Sequence, residues 1–463
     1  MSRTPIQNLK VQCQLVFVIL LMPLGLFANE TGNLHISKKE GPEKALGLSQ
    51  ALAKVRANDL SLLRFDVDTQ AFHAEANASH YLPDPVLFAA AQSIPTDTFD
   101  LDQEPMTQLR FGVRQMFPKG DTLSIKRDLS GINAEIQGIK KASLWRKLKL
   151  NTETAWLEAW YWQKNKQLIE EDRVFLTQVM DFVQSLYQVG VKDQSNLIGA
   201  ELELIKLDEK QIVADRNFRK YRNQLNTLAN ENLAGDQLST KLSTFKKPGI
   251  NFKNSDLLMS KFIAHPEIKA LDGRVDLLGK KVNLAEQAFE PTWGMEVSYG
   301  LRGGENNDGS DRADFLNAGV SVQLPLFTKG KQSQTLRAAK FRKSSIENMR
   351  LEALQKMRFQ FENVYQQYLI TVDQRALYEQ GILPTLARQK QSALQSYESD
   401  KGDFRTVTDL FSKEQNAKIR HQRLRVNEQL MIAKINYWIG LDAGLEKESM
   451  PEAVANKQGA KAQ

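Results

Sequence analysis

The feature that most limits what this chain can fold into is a long-range internal repeat. Phe117-Pro118-Lys119-Gly120 opens a long run that ends at Tyr187, and Phe327-Thr328-Lys329-Gly330 opens a second that ends at Tyr397. The openings are 210 residues apart (327 − 117), and Tyr187 and Tyr397, like Asn226 and Asn436, keep the same step. Self-similarity at a fixed spacing marks a duplicated structural unit. Each half reads as an alternating strand, a very long helix, a Tyr-marked turn and a second long helix.

The helices are long because almost nothing stops them. Pro and Gly are scarce over most of the chain, which has 14 Pro and 26 Gly in 463 residues, and those are the residues that break helices. The run from Lys119 to Tyr187 holds 69 residues, or about 100 Å of helix. Helices of that length need coiled-coil neighbours. Leu197, Leu204, Gln211, Phe218 and Leu225 form one heptad row, with Ala200, Leu207, Ala214, Tyr221 and Leu228 as its companion. In the second half Leu410, Ala417, Leu424, Met431 and Trp438 keep the equivalent row. There the companion row holds Glu414, His421 and Glu428, which predicts a wetter contact surface. Pro384 lacks an N–H and crowds the preceding turn, so it must kink or interrupt its helix. A further helix is expected from about Glu43 to Ser79, stopped by Pro83-Asp84-Pro85, and another from His265-Pro266-Glu267 to Glu290.

Four short segments follow a different period. In residues 292–302, Trp293, Met295, Val297, Tyr299 and Leu301 share one face, while Gly294, Glu296, Ser298, Gly300 and Arg302 share the other. That is the period of a strand. Residues 313–325 repeat it through Leu316, Ala318, Val320, Val322 and Leu324, and residues 107–117 through Leu109, Phe111, Val113 and Phe117, with Gln115 breaking the row. Residues 85–94 form a weaker fourth, since Val86-Leu87-Phe88 is apolar without alternating. Segments of ~9–11 residues suit tilted membrane-spanning strands. A water-soluble sandwich would alternate in the same way. Charges and glycines on the polar faces, and Trp293 and Tyr299 as interfacial anchors, favour the membrane. The loops at 95–105 and 303–312 are polar and acidic. Four strands cannot close a barrel, for which ~8 are the minimum, and open edges are not tolerated in lipid. If the strands span, copies of the chain must join; three copies would supply twelve strands.

The first 28 residues read as a secretory signal peptide. Arg3 and Lys10 precede the apolar run Leu15-Val16-Phe17-Val18-Ile19-Leu20-Leu21, which ends near Ala28. That run is shorter than the ~20 residues a membrane anchor needs. Cys13, the only cysteine, lies inside the signal segment, so disulfides and thiolate metal sites are excluded downstream. The charge of +7 is spread along helices without interleaved aromatics, which argues against nucleic-acid binding. No phosphate-cradling loop, nucleophile elbow or His-Glu-x-x-His pair is present. Neither an enzyme nor a bound cofactor is expected. His73 and His80 lie seven apart and read as exposed helix histidines. The acidic loops lack a defined cation-binding pattern.

With the duplication, the Pro-Leu-Phe of 325–327 and the turn Tyr187-Gln188-Val189-Gly190 in view, the chain resembles the TolC-type outer-membrane efflux factors of Gram-negative bacteria. The resemblance covers nearly everything after the signal. It implies an α+β membrane protein: a homotrimer with a 12-stranded β-barrel in outer-membrane lipid, continued by a long antiparallel α-helical coiled-coil tunnel into the periplasm. It further implies a periplasmic adaptor (membrane fusion) protein and an inner-membrane RND-type pump as partners. The helix-turn tips, Tyr187, Gly190, Tyr397 and Gly402, would meet the adaptor. One departure stands out. The second Tyr-x-x-Gly turn reads Tyr397-Glu398-Ser399-Asp400, with Gly402 left to supply flexibility. Asp409 matches one acidic constriction position of the family, whereas Thr406 and Gly402 stand at the other acidic position and at a basic linking position. Asp400 and Asp403 would then share the charge of a periplasmic gate with Asp409.

The expected organisation is a signal peptide at 1–28, an exposed leader at 29–42, a first repeat at 43–245, a second repeat at 246–441 and a mobile tail at 442–463. Residues 233–265 read as mixed and loop-like. Two functions fit: an exit duct for small solutes, with heavy-metal cations as a weakly favoured cargo, or a periplasmic coiled-coil scaffold or adaptor with a soluble β-domain.

Overall fold

The computed structural model describes residues 45–190, 193–233, 238–246 and 255–440, all within one compact unit, Lys44–Gln463. The expected signal peptide, leader and C-terminal tail lie outside the described residues.

Two helices open the described chain, α1 (Leu48–Asn58) and α2 (Leu60–Ala78). The single helix expected over 43–79 is therefore split. Asp59 takes an extended backbone and its carboxylate accepts from Leu62 N at 3.0 Å, an N-cap that starts a new helix in place of continuing the old one. Strands β1 (Val86–Gln92) and β2 (Gln108–Phe117) then lead into α3 (Thr122–Gln188), 67 residues without a break, and α4 (Gln194–Ala229) returns antiparallel to it.

The second half begins with α5 (Ser255–Ile263), a helix inside the stretch expected to be loop. Phe262, fully buried, sets its edge against Phe361 at 5.5 Å between ring centres, so packing organises a segment that propensity leaves undecided. Next come α6 (Pro266–Glu286), a single 3₁₀ turn, β3 (Thr292–Leu301), β4 (Phe315–Gln323) and α7 (Lys331–Leu377). Pro at the first turn of α6 and the His265 imidazole accepting from Glu267 N at 3.2 Å set that helix start. Before Pro384 the chain widens into a π-helical turn, Tyr378–Ile382, and resumes as α8 (Leu383–Glu398). The wider turn absorbs the carbonyl that Pro384 cannot satisfy. The last helix is α9 (Phe404–Ile439).

The duplication is visible in the backbone itself. Gly190 and Asp400, both left-handed, end the outgoing helices; Asp193 and Asp403 stand at the N-cap positions of the returning ones; Asn230 and Gly440, again left-handed, end those. Each pair keeps the 210-residue step of the sequence.

The main core is a belt midway along the helices. Trp156, fully buried, anchors it among Leu157, Trp160, Leu225 and Val426, with Leu48 and Val55 of α1. The Trp156 indole N–H donates to Leu46 O at 3.2 Å. Gln163 donates to Leu238 O and accepts from Leu238 N, at 3.0 and 2.7 Å, tying the inter-repeat link to α3.

Candidate functional site

The four strands form one antiparallel sheet in chain order, β1-β2-β3-β4. Its register fixes which side chains share a face. Phe111 faces Tyr299 and Tyr299 faces Leu316; Val113 faces Val297 and Val297 faces Ala318. One face is thus Leu87, Phe111, Val113, Trp293, Met295, Val297, Tyr299, Leu301, Leu316, Val320 and Val322, all exposed in the single chain. Gln115 is the exception on this face, and its amide donates to Pro83 O at 2.8 Å. β1 conforms after all: Phe88 pairs with Gly112, and Leu87 and Ala89 fall on the apolar face with Val113 and Phe111. Cross-strand pairing assigns a face that the apolar run Val86-Leu87-Phe88 conceals.

The opposite face carries the charged strand residues and most of the small ones, with Phe88, Met116 and Phe315 as its large apolar members. Arg110, Gly112, Arg114, Gly294, Glu296, Ser298, Gly300, Asn317, Gly319 and Ser321 lie there. Arg110 and Arg114 both donate to Glu296, at 2.9 and 2.6 Å. Tyr299, on the apolar face, turns its hydroxyl to Asp314 at 2.7 Å. The side chain thus joins an apolar ring to a hydrogen-bonded polar tip. Trp293 shares its face and stands at the other end of β3.

At the far end of the helices stand the two tight turns, and they are not equivalent. Tyr397 is 2% exposed and packs on Phe404 at 5.4 Å and Phe182 at 6.5 Å, whereas Tyr187 is 42% exposed. Gly190 has φ +74° and Asp400 has φ +60°. Asp400 itself therefore takes the left-handed position that glycine holds in the first turn; Gly402 does not supply it, as the sequence had suggested. Asp400 N reaches Tyr397 O at 3.1 Å and Lys401 N reaches Ser396 O at 2.9 Å, closing a Schellman end to α8. Gly402 is needed for closeness: a Cβ there would stand 3.0 Å from the Ser396 carbonyl carbon and the Tyr397 nitrogen. Asp403 caps α9 by accepting from Arg405 N at 3.3 Å. Asp409 is exposed in a shallow groove between α8 and α9, beside Ser392, Thr406 and Lys413. All three aspartates lie on the surface of the single chain.

Above the tip the helices are joined by buried ion pairs that the heptad reading took for a wet surface. Glu414 is 6% exposed and meets Lys390 at 2.5 Å; Glu428 is 2% exposed and meets Arg375 at 3.1 Å. The partners come from α8 and α7, so no local pattern reveals them. Asp172 of α3 lies 3.9 Å from Lys418, and burial holds its carboxyl above the usual range. Lys210 of α4, lowered by burial, donates to Gln415. Arg423 grips Glu158 with both nitrogens at 2.6 and 2.7 Å. Charged residues at heptad positions were the one available signal for these cross-links.

Among the described residues no group of three or more His, Cys, Asp or Glu side chains is arranged to hold a metal ion, and no helix is long and apolar enough to cross a membrane.

The architecture is that of solved outer-membrane channels. CusC, a protein described as forming a transmembrane channel, is similar with a TM-score of 0.70 at 14% identity, over 85% of this chain and 91% of that one. The outer-membrane protein VceC of Vibrio cholerae gives 0.69 at 13%, over 85% and 96%. The outer-membrane channel CmeC of Campylobacter jejuni gives 0.69 at 14%, over 93% and 95%. The sequence matches no protein-family model and no curated protein. The chain therefore has the TolC-type fold that its sequence resemblance implied.

Proposed function

We propose that this chain is the outer-membrane exit duct of a tripartite efflux system, a passive conduit for small solutes and not an enzyme. One observation carries the reading. A four-stranded sheet exposes a face that is apolar almost throughout, leaves β1 and β4 as its edges, and sits on helices about 100 Å long. Lipid covers such a face, and sister chains pair such edges. Three copies make the twelve-stranded barrel of a homotrimer. Trp293 and Tyr299 anchor it at the lipid boundaries.

The helices carry matching signs of self-assembly. Ile198, Leu202, Ile205 and Ile212 make an exposed apolar stripe on α4, and Phe359, Ile370 and Leu377 are exposed on α7. Stripes of this kind mark helix faces that await a neighbour. In the trimer they pack between sister chains and complete the tunnel. The tip turns at Tyr187, Gly190, Tyr397 and Gly402 meet a periplasmic adaptor, which joins the duct to an inner-membrane RND-type pump. Asp409, with Asp400 and Asp403, lines the gate at that end. Heavy-metal cations are the finer reading of the cargo.

Fractionation of cells expressing the full chain tests the location. Recovery with the outer membrane supports the duct; recovery as a soluble periplasmic protein supports the coiled-coil scaffold instead. Deleting the gene and measuring tolerance to copper, zinc, cobalt and a drug panel tests the cargo. Lost tolerance to metals alone supports the finer reading, and lost tolerance to drugs alone refutes it.

A further inference from the structure

The polar face of the sheet holds three charged side chains on its strands, and they form a single cluster. Arg110 donates to Glu296 Oε1 at 2.9 Å, to Gln92 at 2.9 Å and to Ser298 Oγ at 2.7 Å. Arg114 donates to Glu296 Oε2 through Nε at 2.9 Å and Nη2 at 2.6 Å. The Phe88 ring lies against both guanidiniums, 5.9 and 5.5 Å from their central carbons. Gly112 stands between the arginines on β2, and a Cβ there would fall 2.6 Å from Phe88. The glycine thus makes room for the ring that supports the cluster. Two guanidiniums share one carboxylate, so the cluster leaves one positive charge per chain.

The rest of the wall cannot offset that charge. Its other strand residues, among them Phe88, Gln92, Gln108, Met116, Ser298 and Asn317, are neutral. The acidic residues nearby, Asp97, Asp100, Asp102, Glu104, Glu305, Asp308, Asp311 and Asp314, lie in the connecting loops beyond one end of the strands.

We propose that Arg110, Arg114 and Glu296 form a charged belt that lines the barrel lumen and sets its ion preference, biasing the strand layer toward anions. The inference rests on the duct reading. In a three-fold barrel the belt holds six guanidiniums and three carboxylates around one water-filled path. Fixed charge on the wall of such a path raises the local concentration of counter-ions. The acidic loops bias the mouth the other way, so the belt is read from differences between variants.

The test is the zero-current potential of the purified full-length protein in planar lipid bilayers under a potassium chloride gradient. Glu296→Gln removes the carboxylate and shifts the potential toward chloride preference. Arg114→Gln shifts it toward potassium preference. The double variant Glu296→Gln with Arg114→Gln restores one positive charge per chain and returns the potential close to that of the native protein. A purely structural role for the cluster gives no such compensation. Conducting variants whose potential stays unchanged overturn the belt and leave the duct intact. A chain recovered as a soluble periplasmic protein overturns the duct, and the belt with it.

Discussion

Val320 and Gly319 are adjacent on β4 and face opposite ways, which makes them a direct probe of what surrounds the sheet. Val320 pairs with Met295 on the apolar face and is 65% exposed in the single chain. Gly319 pairs with Glu296 on the polar face, and a Cβ added there meets nothing within 4 Å. If water bathed both faces, arginine at either position would change stability by no more than about 0.5 kcal/mol. In lipid the outcome splits. Val320 is one residue from the middle of the nine-residue strand, so Val320→Arg places a guanidinium near the midplane, at a cost of about 2–4 kcal/mol per chain. A loss of 3 kcal/mol lowers the folding constant more than a hundredfold, and an oligomer meets the cost in every chain. Gly319→Arg enters the aqueous side, opposite a carboxylate, and is tolerated. The assay is the yield of heat-resistant oligomer from outer membranes, with thermal melting of the reconstituted protein. Equal behaviour of the two variants would refute the assignment of faces.

Three further outcomes follow from the helical layer. Trp156→Ala, which empties the centre of the main core, lowers stability by about 3–5 kcal/mol and is read as a fall in Tm. Asp400→Gly relieves a left-handed aspartate and raises Tm, while Asp400→Val lowers stability by about 1–2 kcal/mol. Among the buried groups, Glu153 and His265 have large shifts of opposite sign. Burial pushes the Glu153 carboxyl up to about 7, so its stabilising contribution is complete below pH 4.5 and is lost as pH rises through 7. Burial pushes the His265 imidazole down to about 4, so its contribution is complete above pH 6.5 and is lost as pH falls through 4. Each is worth about 3 kcal/mol, and between pH 4.5 and 6.5 they offset one another. The native protein shows a flat Tm in that window; Glu153→Gln loses stability on acidification, and a flat profile for that variant contradicts the pairing.

What the sequence reveals and what it hides divides by range. The strand faces are legible because alternation is local: Trp293 to Leu301 declares its own pleat. The 210-residue step is legible because both copies kept the Phe-x-Lys-Gly opening and the turn tyrosine. The split at Asp59 is hidden because Leu46, Ala53, Leu60 and Val67 keep a seven-residue spacing across it. The burial of Glu414 and Glu428 is hidden because Lys390 and Arg375 arrive from other helices. At the tip, Asp400 looks like a lost glycine, yet the backbone keeps the glycine's conformation, a shape that aspartate tolerates better than most residues. The Arg110–Glu296–Arg114 cluster was readable as a polar face but not as a cluster, since register across 180-odd residues brings its members together.

The central claim is that β1 and β4 find their missing neighbours in sister chains. The most direct measurement is the mass of the detergent-solubilised full-length protein by light scattering with the detergent contribution removed. A mass of three chains is predicted; a stable single chain, or a particle that needs no detergent to stay in solution, would contradict it.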